Sequence, residues 1–220
     1  MKENIYTIPL NDLFSEKCGC PLCRLDETLR KRYAEFIMGP AMMAPEIRVQ
    51  TNRLGFCKEH YNLLEGFNNK LSLALLTETR LKELEETISG SKLSKNRYKE
   101  LTKSCYLCEK ENASRDSVYD NIIHTFRKEK EFRELFSEQE TLCLPHFQAL
   151  INKASSLSKR DYLAFSEAAA SLCRKGYDNA ADKVKNFSKS FDYRTAEDEE
   201  FNPLDYRDAL YEAGKFLNKE

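Results

Sequence analysis

The sequence predicts an all-α protein made of two helical pseudo-repeats followed by a long C-terminal helix. Three observations carry that prediction. Apolar residues recur at helical spacing along most of the chain, the 220 residues include only 7 Gly and 6 Pro, and one pattern of Cys and His occurs twice. Scarce Gly and Pro argue against a loop-rich sandwich, and 41% hydrophobic residues suffice to bury a core.

Charge and hydropathy narrow the class. The 35 Lys+Arg nearly cancel the 36 Asp+Glu, so bulk charge does not direct the chain to a polyanion. The apolar run Leu73–Leu76 falls far short of the roughly 20 residues a membrane helix needs. Met1-Lys2-Glu3-Asn4-Ile5 lacks the apolar core of a secretory signal. The expectation is a cytoplasmic protein with no membrane contact, in which 8 Cys stay reduced.

Six of those Cys fall into two quartets with two of the 3 His. Cys20-Pro21-Leu22-Cys23 is followed after 33 residues by Cys57-Lys58-Glu59-His60, and Cys105-Tyr106-Leu107-Cys108 after 34 residues by Cys143-Leu144-Pro145-His146. The offset is 85 for the CxxC pairs and 86 for the CxxH pairs. Flanking residues repeat as well: Glu46-Ile47-Arg48 matches Glu131-Phe132-Arg133, and Phe56-Cys57 with His60-Tyr61 matches Leu142-Cys143 with His146-Phe147.

Cys₃His is an ordinary structural zinc set, and a two-residue gap lets both side chains of a pair converge on one ion. The reading is two Zn²⁺ per chain, held by Cys20, Cys23, Cys57 and His60, and by Cys105, Cys108, Cys143 and His146. An exchanged pairing, in which Cys20 and Cys23 are completed by Cys143 and His146, stays open. A redox dithiol would call for alternating strands and helices, which the pattern lacks. Four protein ligands leave no open position, so such sites contribute to folding and not to chemistry. Three thiolates and one dication leave each site at −1, which takes the formal net charge from −1 to about −3. Arg48 and Arg133 are candidates for donors behind the thiolates, against the alternative that both face solvent.

The elements follow in order. Leu22, Leu25, Leu29, Tyr33, Phe36 and Ile37 predict a helix that starts at Pro21 and stops at Gly39-Pro40. A short helix carries Glu46 and Arg48, and another runs from Cys57 to about Gly66. Leu71, Ala74, Leu75, Glu78, Leu81, Leu84 and Ile88 mark the stripe of the next, closed by Ser89-Gly90-Ser91. Tyr119, Ile122, Ile123 and Phe126 form a stripe in the second copy, with Phe132, Leu135 and Phe136 a shorter one. From Ser158 to about Phe191 the chain is one long amphipathic helix. The organisation expected is a single compact unit over 1–220. Pseudo-repeat one spans about 8–90, a basic link about 91–104, and pseudo-repeat two with the long helix about 105–191; an acidic tail with a short helix occupies 192–220.

The remaining features are weaker. His124 sits on an apolar stripe as a core or boundary residue, Cys18 reads as a bystander thiol and Cys173 as a small core residue. Lys92, Lys95, Arg97, Lys99 and Lys103 against Glu100 make the link basic, with a net charge of +4. Glu197–Asp208 carries a net −5. No nucleophile–base set, glycine-rich phosphate loop or pair of catalytic carboxylates stands out, so the expectation is a protein that is not an enzyme.

Several stretches resemble an uncharacterised bacterial cytoplasmic family, a domain of unknown function. They are Ile8-Pro9-Leu10, Cys20-Pro21-Leu22-Cys23, Met38-Gly39-Pro40, Leu54-Gly55-Phe56-Cys57-Lys58-Glu59-His60-Tyr61, Leu71-Ser72-Leu73-Ala74-Leu75, Cys105-Tyr106-Leu107-Cys108, Glu131-Phe132-Arg133-Glu134-Leu135-Phe136, Cys143-Leu144-Pro145-His146-Phe147 and Phe191-Asp192-Tyr193-Arg194. The resemblance implies a bacterial cytoplasmic protein with no assigned activity and adds no catalytic residue. The function expected is a structural zinc protein that scaffolds or binds another protein. A thiol-based redox or zinc sensor is the first alternative, and a nucleic-acid-binding regulator acting through the basic link is the second.

Overall fold

A computed structural model describes residues 10–17, 19–89, 104–191 and 202–218. These form ten α-helices, and among the described residues there is no strand. In chain order they are α1 (Leu10–Ser15), α2 (Pro21–Met38), α3 (Pro45–Leu54), α4 (Lys58–Glu65), α5 (Lys70–Ser89), α6 (Tyr106–Lys128), α7 (Lys130–Ser137), α8 (Leu144–Ala154), α9 (Lys159–Lys189) and α10 (Ala209–Leu217). Short 3-10 turns occupy Pro40–Met43 and Pro203–Tyr206. Cys18, the lysines and arginine from Lys92 to Lys103, and Asp192 to Glu200 lie outside the described residues.

The all-helical class and the long C-terminal helix are as the sequence predicts, and the repeat is visible element by element. Helices α2, α3, α4 and α5 recur as α6, α7, α8 and α9, each in the same place relative to the Cys/His motifs. Pro at the first position of α2, Gly55 closing α3 and Ser158 capping α9 place the boundaries. Gly55 adopts φ 66°, a left-handed conformation, and its N–H bonds to the Thr51 carbonyl at 2.8 Å. That turn releases the chain toward Cys57.

Contacts divide the chain into two compact units, Asp26–Asp116 and Thr7–Leu25 together with Ser117–Glu220. The boundaries fall inside α2 and α6. In the first unit, α5 packs on α3 and α4. Ser72, Leu73 and Leu76 of α5 are buried, whereas Leu71, Leu81 and Ile88 are 60–67% exposed. The apolar stripe expected on α5 is therefore rotated from the face that packs. Polar contacts from α3 set that face: Arg48 donates to the Leu75 carbonyl and to Thr79, Asn52 accepts from Thr79, and Arg80 donates to the Asn52 and Arg53 carbonyls.

The second unit is built round an aromatic core. Phe136 of α7 lies 5.4–5.7 Å, centroid to centroid, from Phe14 of α1, Phe126 of α6 and Phe165 of α9. Phe132 adds an edge contact to Phe14 at 5.2 Å. Such offset and edge-on pairs add to the area they bury. Helix α10 packs on α8 and α9, with Ala209 and Phe216 buried and Leu210, Tyr211 and Leu217 exposed. Gly176 makes this approach close enough to matter: a Cβ there would stand 1.9 Å from Thr141 Oγ1 and 2.9 Å from the Phe216 ring.

Candidate metal centres

Each of the four motifs sits at the start of a helix in the same register. Cys20, Cys57, Cys105 and Cys143 directly precede α2, α4, α6 and α8. The carbonyl of each accepts the first intrahelical bond, from Arg24, Tyr61, Glu109 and Phe147. The first residue of each pair is thus the N-cap, and the second, three residues on, lies in the first turn. Cys57 and Cys143 share nearly one conformation, φ −69°, ψ 166° and φ −67°, ψ 157°. An extended N-cap followed by a helical turn brings the side chains of the cap and the third helical residue together, as in a capping box. This local geometry, and not loop length, is why CxxC and CxxH each form half of a site.

Two such halves close one site. Cys20, Cys23, Cys143 and His146 bring one ligand atom each into a set whose members all lie within 4.8 Å of one another; Cys57, His60, Cys105 and Cys108 form the second set. The exchanged pairing is the one the structure has. Each set falls within a single compact unit.

In the first site Cys23 Sγ lies 3.7 Å from Cys143 Sγ, and His146 Nδ1 lies 3.0, 3.5 and 3.6 Å from the sulfurs of Cys143, Cys23 and Cys20. In the second, His60 Nδ1 lies 3.3 Å from each of Cys57, Cys105 and Cys108, and Cys57 Sγ is 3.9 Å from Cys108 Sγ. A tetrahedral ion with Zn–S bonds of about 2.3 Å requires S···S edges of about 3.8 Å and slightly shorter S···N edges. The S···S distances of 3.7 and 3.9 Å match that figure, and the Nδ1···S distances of 3.0–3.6 Å lie at or somewhat below it. In each site, Nδ1 is the nitrogen that faces the sulfurs.

Electrostatics point the same way. Contacts with Cys143 and Cys23 hold Cys20 well below the usual thiol range, while the Cys143 and Cys20 thiols and burial push Cys23 up. In the second site burial is the largest influence on Cys105 and opposes its ionisation, yet contacts led by His60 bring it down to about 6. Burial and the Cys105 charge push Cys108 up. Once one sulfur is charged, its neighbours resist ionisation, and a dication at the centre removes that conflict. Two helix N-termini aim at each site and favour thiolates further.

The second site has a feature absent from the sequence reading. Glu111, only 5% exposed on α6, places Oε1 2.9 Å from His60 Nε2. Its signal was in the spacing, since 105, 108 and 111 lie on one helical face and the position equivalent by the offset of 85, Asp26, is also acidic. Asp26 is placed differently, 2.6 Å from Arg115 Nε. At the first site the Tyr119 ring stands edge-on to His146 at 6.4 Å.

The other candidates fall elsewhere. Arg48 bonds to α5, as described, and Arg133 is exposed. His124 is exposed on α6 and belongs to neither set. Cys173 is buried on α9, where burial raises its pKa, with the charges of Cys143 and Cys20 adding to the effect.

An all-helical protein with two Cys₃His clusters suited to metal ions is the class these features define. The chain belongs to DUF6062, a family of unknown function, which it matches over residues 1–220. It is also similar to an uncharacterized 23.9 kDa protein in the xynA 3' region of Caldicellulosiruptor sp. (strain Rt8B.4). The two are 22% identical over 149 residues, covering 67% of this chain and 73% of the relative. No solved structure matches the chain.

Proposed function

We propose that the protein is a cytoplasmic, non-enzymatic structural zinc protein that holds two Zn²⁺ and presents a helical surface to another protein. The observation that carries the proposal is the closed donor set. Each site has four protein ligand atoms within 4.8 Å of one another, with buried or half-buried sulfurs, and a tetrahedral ion held by all four would offer no position to substrate or water. Zinc suits this mixed thiolate–imidazole set better than the harder cations, which prefer oxygen. When bound, the ion ties two helix N-termini together and contributes directly to folding.

The interaction surface is supported by apolar side chains left uncovered round the last helix. Leu204, Leu210, Tyr211 and Leu217 are all more than half exposed. No helix of the described residues is long and apolar enough to cross a membrane.

Native mass spectrometry of freshly purified protein, before and after mild peroxide, tests the proposal. Two zinc ions per chain, retained under peroxide, are expected. Loss of zinc with formation of disulfides, reversed by thiol, would replace the structural reading with the sensor reading. Folded protein with no zinc would overturn both.

A further inference from the structure

We infer that Glu111 is a positioning residue for the metal in the second site, acting through His60; the inference rests on the zinc reading above. A carboxylate on the buried face of a helix is costly unless something compensates it. Glu111 Oε1 lies 2.9 Å from His60 Nε2, at ion-pair distance, and neither atom makes a hydrogen bond to any other group among the described residues. The His60 ring is therefore held at both ends. Nδ1 faces three sulfurs, each at 3.3 Å, and Nε2 faces the carboxylate.

With a metal on Nδ1, the ring proton resides on Nε2, the nitrogen that has the Glu111 carboxylate 2.9 Å away. The carboxylate selects that tautomer, fixes the ring plane and makes Nδ1 a stronger donor. It can do so because Cys105, which caps α6, and Cys108 and Glu111 within it follow at successive three-residue steps, so one helix and its cap supply two ligands and the support for a third. The positive ends of α4 and α6 converge there and offset part of the added negative charge.

The test uses the full-length zinc-loaded chain with Glu111→Ala and Glu111→Gln variants. Zinc release is followed with a chromophoric chelator, and the His60 ring nitrogens are observed by NMR. Glu111→Ala should weaken one of the two zinc sites by roughly 10–100-fold and leave the other as in the parent. Glu111→Gln, whose amide oxygen still accepts from Nε2, should restore most of the loss. In the parent protein the His60 spectrum should show metal on Nδ1 and a slowly exchanging proton on Nε2, a reading that needs no variant to fold. Metal on Nε2 would overturn the proposal, as would a Glu111→Ala protein that holds both ions with parent affinity. In either case two bound zincs would leave the structural reading standing. A parent chain that binds no zinc would overturn both together.

Discussion

Cys23 Sγ and Cys143 Sγ lie 3.7 Å apart, although 120 positions separate them along the chain. Cys57 and Cys108, at 3.9 Å, are separated by 51. Each centre therefore joins a CxxC from one copy of the repeat to a CxxH from the other. On the zinc reading, which cysteines are lost together decides how many ions the chain keeps.

Paired substitutions read this pairing directly. A Cys23→Ser/Cys143→Ser variant disables one site and should retain one zinc per chain. Cys23→Ser/Cys57→Ser disables both and should retain none. Pairing within each repeat would reverse the two results, and metal analysis after desalting distinguishes them.

Metal uptake should be proton-coupled. Burial, the largest influence on His60, lowers its pKa, but contacts with Cys105 and Glu111 outweigh it and bring the group to about 10. Burial and the Cys105 charge hold Cys108 up as well. Near neutral pH the entering ion must displace the protons of both groups, so affinity rises with pH, by about 10-fold per unit for each proton displaced. Below about 6, where Cys105 also takes a proton, the fall on acidification should steepen. Calorimetry in buffers of different ionisation enthalpy counts the protons; uptake independent of pH between 6 and 8 would contradict this.

Gly176→Ala should loosen the packing of α10 on α9. The added methyl meets Thr141 Oγ1 at 1.9 Å and the Phe216 ring at 2.9 Å, so α9 cannot keep its present distance. The expected cost is about 1–3 kcal/mol. Thr141→Ala in the same chain should recover part of it, read as a rise in the denaturation midpoint.

Phe136→Ala tests the aromatic core. The side chain is 1% exposed and touches rings from α1, α6 and α9. About 3–5 kcal/mol of stability should be lost, visible in chemical denaturation, with both metals still bound.

Much of this was readable in the residues themselves. Cys20, Cys23, Cys57, His60, Cys105, Cys108, Cys143 and His146 stood out by spacing, and these eight are the ones that converge. Helices α2 and α9 were marked by periodicity with Pro21 and Ser158 at their starts. The pairing was not legible, because loop-closure entropy grows only slowly with length and so sequence distance hardly discriminates one closure from another. The packed face of α5 is hidden in the sequence because Thr79 and Arg80, which meet α3, do not register in an apolar pattern. Glu111 is one of 36 acids, and only its place three residues after Cys108 sets it apart in the sequence.

The ligand order along the chain is nested: the centre made by residues 57 to 108 lies wholly inside the span enclosed by residues 20 and 146. A ribosome that has synthesised the second CxxC has already supplied everything the interior knot requires. The first CxxC, by contrast, waits as a bare dithiol until His146 emerges. Assembly is thereby ordered in time, from the inside outward, and the interval in which Cys20 and Cys23 lack their partners is when a growing chain is most open to oxidation or to capture by the wrong ion.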